Sequence, residues 1–295
     1  MKKVNQQGTN IDVTSETIRL SDLKMRYKKS FLNWFIGFVE ANENVFIVNR
    51  RYLRFEINVS LKNKDIIYYI KNNLGFGKIR KLKFLDGVII EYSVQDNIKH
   101  LLKLIYIFNG NFRSINKESS FSLFYKKLRN KLKKIAALDL LPVYDSTLQS
   151  VSLINSWLAG FIESRGLFYA RWHKSKKLKD GKELYVNSIF WHLDIDLLQK
   201  IKEALKLAGK IEVKSKWNLS FYKLELKNMN EKNIIINYLN KFNLKGEKKT
   251  RYKYWISLFN IECKYIETGI QDFDQIDIAL IKLNKTIDEG ELSKV

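Results

Sequence analysis

One nine-residue phrase occurs twice in this chain, and it decides most of what the chain can fold into. Trp34-Phe35-Ile36-Gly37-Phe38-Val39-Glu40-Ala41-Asn42 returns 123 residues later as Trp157-Leu158-Ala159-Gly160-Phe161-Ile162-Glu163-Ser164-Arg165. Both copies read as helices that are apolar nearly all round, the mark of an element buried on every side. A glycine inside a helix costs roughly 0.5–1 kcal/mol relative to alanine. Keeping it twice at the same place points to a duplicated architecture.

The repeat continues beyond the phrase. Gly75-Phe76-Gly77-Lys78-Ile79 closes an apolar helix pattern and opens a strand pattern, and Ala208-Gly209-Lys210-Ile211 does the same. Gly37 to Gly77 is 40 residues and Gly160 to Gly209 is 49, so the second half carries about nine extra. The charged, turn-forming run Lys174–Lys182 accommodates them as a long hairpin tip.

Periodicity then predicts the elements. In the first half these are a helix over 31–42, a hairpin over 44–50 and 52–61, and a helix over 65–74. A hairpin over 77–84 and 87–94 turns at Leu85-Asp86-Gly87, and helices over 96–108 and 117–135 follow. The second half predicts a helix over 151–165, strands at 167–174 and 183–193, and a helix over 195–208. Strands at 210–217 and 219–227 turn at Trp217-Asn218, and helices over 229–242 and 250–266 close the half. The order is αββαββα, twice. The expected division is an N-terminal extension (1–29), a first repeat (30–135), a linker with the only proline, Pro142 (136–150), a second repeat (151–266) and a C-terminal extension (267–295). That last part holds an amphipathic helix over 270–287 and an acidic end.

Composition narrows the function. A chain of 295 residues with 45% hydrophobic content buries a sizeable core unaided. The lone Cys263 excludes an internal disulfide and a thiolate zinc site, and His100, His173 and His192 lack ligand spacing. The net charge of +22 and a pI of 9.7 favour a polyanionic partner. No apolar run reaches membrane-spanning length, and Met1-Lys2-Lys3 precedes polar residues rather than an apolar signal core.

The two phrases resemble the LAGLIDADG motif of homing endonucleases and intron maturases, in its single-chain, two-repeat form, over about 31–266. The resemblance implies an α+β fold of two pseudo-symmetric αββαββα repeats, a monomeric pseudo-dimer whose antiparallel sheets form a saddle on nucleic acid. It implies that the two motif helices pack side by side, with Gly37, Ala41, Gly160 and Ser164 at their contact. It also implies an acid at the eighth motif position of each helix, counted from Phe35 and from Leu158, to hold divalent metal for strand cleavage. Those positions here are Asn42 and Arg165. A neutral amide is a poor magnesium ligand, and a guanidinium repels the ion. Glu40 and Glu163 match the sixth position, acidic but structural in the family. Glu43 is the one neighbour able to compensate. The expectation is a protein without nuclease activity, metal or other cofactor.

The strands are rich in cations, which the saddle expectation turns into candidate nucleic-acid contacts. They are Arg50, Arg51 and Arg54 in the first hairpin; Lys78, Arg80, Lys81 and Lys83 in the third strand; and Arg171, Lys174, Lys176, Lys177, Lys179 and Lys182 around the long tip. Lys210, Lys214 and Lys216 alternate with Ile211 and Val213, and Lys223 and Lys227 lie on the partner strand. Arg165 joins them as an expected phosphate contact. Trp172, Tyr185, Trp191, Trp217 and Tyr222 can stack on unpaired bases. This pattern favours structured RNA. The leading expectation is a structural component of an organellar ribonucleoprotein such as the mitochondrial ribosome, docked to protein neighbours through the terminal extensions. The alternatives are a group I intron splicing maturase and a DNA-binding or active homing endonuclease. The abundance of Lys, Asn and Ile, residues of A/T-rich codons, points to synthesis inside an organelle or in an A/T-rich genome, and the mitochondrion is the expected place.

Overall fold

The computed structural model describes residues 27–85, 87–174, 181–216, 219–269 and 272–286. The first repeat runs α1 (Lys29–Ala41), β1 (Phe46–Val48), β2 (Leu53–Ser60), α2 (Lys64–Leu74), β3 (Lys78–Phe84), β4 (Gly87–Gln95), α3 (Ile98–Phe108) and α4 (Ile115–Lys134). The second runs α5 (Trp157–Arg165), β5 (Gly166–Lys174), β6 (Lys182–His192), α6 (Ile195–Ala204), β7 (Ile211–Lys216), β8 (Leu219–Leu226), α7 (Met229–Lys241), α8 (Lys248–Thr268) and α9 (Phe273–Asn284). Each repeat builds one antiparallel four-stranded sheet, in the orders β1-β2-β4-β3 and β5-β6-β8-β7. The α+β architecture of two matching units is as the repeat implied.

The elements follow from local chemistry. In β2, Leu53, Phe55 and Ile57 alternate inward while Arg54, Glu56 and Asn58 face the other way. Helix α2 buries Ile66, Ile67, Ile70 and Leu74 and stops at Gly75, whose φ of 74° suits a residue without a Cβ. Asn97, Ser114, Asp194 and Asn228 each accept a backbone N–H at the start of α3, α4, α6 and α7, contacts typically worth about 1 kcal/mol each. Helices cover one face of each sheet. Phe46 and Phe55 pack there with Phe108, Phe121 and Phe124, while Phe168 packs against Tyr252 and Trp255.

Two expectations need correction. The second motif helix begins at Trp157, not at 151. Asn155 Oδ1 accepts the Trp157 N–H at 2.9 Å, satisfying a donor that a longer helix would have used, and Ser156 Oγ donates to the Ser30 carbonyl at the start of α1. Val151 and Leu153 still pack on the core from the irregular chain and turn before α5, which produced the apolar spacing. The C-terminal helix, expected over 270–287, is shorter as α9 (Phe273–Asn284) and packs one face on its own repeat. Ile276, Leu280 and Leu283 of α9 are buried, and Arg251 Nε donates to Thr286 Oγ1 at 3.3 Å. The N-terminal extension up to residue 26, the turns at Asp86 and Trp217-Asn218, the tip lysines Lys176, Lys177 and Lys179, and the acidic end lie outside the described residues. Among the described residues, no helix is long and apolar enough to cross a membrane.

Candidate nucleic-acid interface

The site begins at the contact of α1 with α5. A Cβ on Gly37 would overlap the Trp157 carbonyl, and one on Gly160 would overlap the Trp34 carbonyl and approach Phe38 N at 2.8 Å. The two helices therefore touch backbone to backbone, as only glycine permits. Ala41 is fully buried and Ser164 half-buried in the same region. The sixth-position acids brace this seam in matching ways. Glu40 Oε1 accepts the backbone N–H of Arg113 and Ser114, and Oε2 accepts Trp157 Nε1 at 2.9 Å. Glu163 accepts the backbone N–H of Lys245 at 2.6 Å and of Gly246 at 3.0 Å. Burial pushes the Glu40 carboxyl up to about 7, against the hydrogen bonds and Arg113, and raises that of Glu163 as well.

At the feet of these helices the eighth-position residues are turned inward. Asn42 Nδ2 donates back to the Phe38 carbonyl at 2.7 Å. Arg165 crosses to the other repeat, where Nε donates to the Ala41 carbonyl at 2.7 Å and Nη2 meets Glu43 Oε1 at 2.8 Å. Its guanidinium lies 4.0 Å from the Trp191 ring centroid. The expected phosphate contact is thus already bonded within the chain: its side chain is 14% exposed, against 45% for Glu43.

The motif comparison missed two lysines. Lys117 donates Nζ to the Asn42 carbonyl, and Lys248 donates Nζ to the Ser164 carbonyl at 3.0 Å. Each stands three residues beyond a backbone group that binds the sixth-position acid, Ser114 in one case and Lys245 in the other. Extending the repeat alignment to the starts of α4 and α8 reveals the pair. Burial lowers the Lys117 ammonium to about 8 despite Glu40 and Glu43. Burial, followed by the charge of Arg165, lowers His192 to about 4. The donor set does not fit a divalent cation. Arg165, Lys117 and Lys248 contribute positive charge, Asn42 is spent on its own helix, and Glu43 is held by Arg165. Among the described residues no cluster of three His, Cys, Asp or Glu side chains is placed to hold a metal.

The sheet faces turned away from the helices sort the remaining candidates. Register puts Arg54, Lys78 and Arg80 on this open face of the first sheet, while Lys81 and Lys83 point to the opposite side. Arg54 is neutralised by Glu91 at 2.5 Å and Glu56 at 2.8 Å; Lys78 and Arg80 are exposed. Arg50 and Arg51 are exposed in the tight connection between β1 and β2.

On the second sheet the open face carries Arg171, Lys214 and Lys223 with Tyr185, Trp191 and Phe221. Lys223 is buried against Glu225 at 3.3 Å, Lys214 meets Glu212 at 3.3 Å, and Lys227 meets Glu212 at 3.6 Å. Tyr169 at 2.6 Å, Asn187 at 2.7 Å and Tyr185 at 3.2 Å also donate to Glu225. Burial pushes the Glu225 carboxyl up, but these bonds and Lys223 outweigh it and hold the group below its usual range.

Trp172, Lys174 and Lys182 lie on the helix-side face, a correction to the expected basic tip. Trp172 Nε1 donates to Asp277 at 2.7 Å, its ring packs on Phe273, and Lys182 Nζ sits 4.7 Å from that ring. Tyr222 also packs toward the core. Lys210 is exposed just before β7. Val213, which alternation with the lysines places on the helix side, is 60% exposed. The side chain of Lys216 lies outside the described residues.

Comparison with known proteins agrees with this geometry. The family described as LAGLIDADG endonuclease matches residues 35–128 and 158–259. The chain is 28% identical over 98% of its length to probable intron-encoded endonuclease 4 of Neurospora crassa, covering 49% of that protein. It is 26% identical over 77% of its length to probable intron-encoded endonuclease Cox1-I1b of Schizosaccharomyces pombe, covering 64% of it. The chain thus spans about half to two thirds of these relatives. The structure superposes on meganuclease I-SmaMI bound to uncleavable DNA with a TM-score of 0.64 at 19% identity, over 90% of this chain and 99% of that one. It superposes on the homing endonuclease I-LtrWI bound to target DNA with a TM-score of 0.61 at 21% identity, over 89% and 99%. With both repeats matched and both motif helices joined at their glycines, this chain belongs to the LAGLIDADG endonuclease family.

Proposed function

We propose that this chain grips structured RNA across its open sheet faces without cutting nucleic acid, and that it serves as a splicing maturase for a group I intron. The observation that carries the loss of cutting is the bonding of Arg165. A guanidinium shared by the Ala41 carbonyl, Glu43 and Trp191 stands where a metal-binding acid would be. Lys78 and Arg80 on the first sheet, and Arg171 beside Tyr185 on the second, supply cations and a ring suited to a folded RNA surface. The intron-encoded relatives support an intron as partner, and the cox1 name of one supports synthesis in the mitochondrion. The same intron-encoded relatives favour a maturase over a permanent ribosomal constituent.

Two measurements test this reading. Full-length protein incubated with Mg²⁺ or Mn²⁺ and a randomised duplex DNA library is expected to leave the library intact; metal-dependent cleavage at a defined site refutes the loss of cutting. Sequencing RNA that co-purifies with the native protein is expected to return one intron. Ribosomal RNA at equal stoichiometry would assign the protein to the ribosome, and absence of RNA would refute RNA as the partner. Binding through about six to ten phosphates should weaken roughly 10³- to 10⁵-fold between 50 and 200 mM salt.

A further inference from the structure

The connection between the repeats does more than tether them. Its residues Leu138, Leu141, Pro142, Val143 and Tyr144 fold back over α4 and wall a pocket of about 480 Å³ with Ser122, Tyr125, Lys126 and Arg129. The volume lies in the range of small-molecule and nucleotide sites. The wall is fixed in place: Tyr125 OH donates to the Pro142 carbonyl at 2.6 Å, Tyr106 OH to the Leu140 carbonyl at 3.2 Å, and Asn109 Nδ2 to the Val143 carbonyl at 2.7 Å. The Tyr125 and Tyr144 rings meet at 4.9 Å, so one aromatic corner faces the apolar side chains. Val143 is 89% exposed although fully apolar, and Lys126 and Arg129 are exposed on the rim.

Its position separates this pocket from the interface above. Helix α4 covers β1 and β2 from the helix side, with Phe121, Phe124, Leu128 and Leu132 inward. The pocket is cut into the outward face of that helix, on the opposite side of the first sheet from Lys78 and Arg80. The last turn of α4 adds Lys133 and Lys134, both exposed. An apolar, aromatic floor beside a cationic rim matches the two halves of an unpaired nucleotide, a flat base that sheds water and a phosphate that needs charge.

We infer that the pocket between α4 and the inter-repeat connection is a second nucleic-acid site, which takes a single unstacked nucleotide of a single-stranded RNA segment. The base rests on Tyr144 and the Leu138, Leu141 and Val143 wall, and its phosphates meet Arg129 and Lys126. This deepens the RNA reading: the sheets hold folded RNA on one side while a strand leaving it is caught on the other.

The test uses the full chain and two probes, a 15-nucleotide single-stranded RNA carrying 4-thiouridine and a base-paired RNA hairpin without tails. The double variant K126Q/R129Q is expected to weaken single-strand binding about tenfold and to leave hairpin binding unchanged. Photo-crosslinks from the single strand should fall on peptides holding Tyr125 or Tyr144. Y144A is expected to abolish the crosslink, and circular dichroism and melting temperature check that it folds. K78Q/R80Q, on the open face, should show the reverse selectivity, so failure of the hairpin arm speaks against the sheet interface alone. Unchanged single-strand affinity in K126Q/R129Q, an equal loss on both probes, or crosslinks confined to the sheets would each overturn the second site. Displacement of the strand by an acidic amphipathic peptide, without crosslinks in the pocket, would assign it to a protein partner and overturn it too.

Discussion

Replacing Arg165 with alanine separates the two roles a cation can have at the foot of α5. In the structure its guanidinium makes a charge-assisted bond to the Ala41 carbonyl, an ion pair with Glu43 and a stack on Trp191. A hydrogen bond from a charged donor contributes about 1.5–3 kcal/mol when largely buried. The ion pair adds about 0–1 kcal/mol, since half-exposed Glu43 keeps much of its hydration. The cation–ring contact adds about 0.5–1 kcal/mol. These contributions overlap, and a loss of about 2–4 kcal/mol is expected, which lowers Tm by roughly 3–6 °C in a chain of this size. Because the Ala41 and Glu43 contacts join the second repeat to the first, the loss should appear as destabilisation of the whole fold. Differential scanning calorimetry and hairpin-RNA binding are measured on the same preparation. The expected result is the fall in Tm with affinity within about twofold, and Glu43→Gln should cost only the ion-pair part, about 1 kcal/mol or less. An unchanged Tm with a tenfold loss of affinity would refute the internal clasp and restore Arg165 as a phosphate contact.

Gly160→Ala should destabilise by at least about 3 kcal/mol, the upper end of ordinary overpacking, because the new Cβ meets the backbone of Trp34 and Phe38. Gly209→Ala is the control, since its Cβ would meet only the Glu225 carbonyl at 3.3 Å; equal melting of the two variants would remove the backbone contact from the argument. Lys117 carries a pH prediction. Its ammonium is lowered to about 8 from 10.5, so between those values the unfolded chain binds the proton that the folded chain has shed. Stability from this group therefore rises as pH rises from 8 toward 10.5. Lys117→Met should flatten melting temperature against pH over 8–9.5, and an unaltered slope would show that Lys117 titrates normally.

Much of the fold was legible because the sequence states it twice. The glycine anchors Gly37, Gly77, Gly160 and Gly209 aligned the halves, and alternation marked the hairpin that holds β2. The site was less legible, since motif spacing gives a position and not a direction. Arg165 was correctly placed at the base of α5, but Glu43 and Trp191, which decide where its guanidinium goes, come from two other elements. Grouping Lys78, Arg80, Lys81 and Lys83 ignored the period of two that sends the last pair to the other face. Trp172 read as a stacking residue because Phe273 and Asp277, more than a hundred residues on, gave no local signal. The same holds for Lys117 and Lys248, whose equivalence lies beyond the quoted motif.

The way the repeats hold each other has a consequence for synthesis. Trp157 completes the Glu40 carboxylate, Lys200 donates to the Arg113 carbonyl at 2.6 Å, and Gly246 abuts Ile66, so parts of each unit are finished by the other. The first unit leaves the ribosome before its counterpart exists. Until residues 157–246 follow, it carries a bare glycine groove, a Glu40 carboxylate short of its Trp157 bond and exposed Trp34 and Phe38 surface. The nascent first unit therefore exposes apolar surface that the finished chain buries.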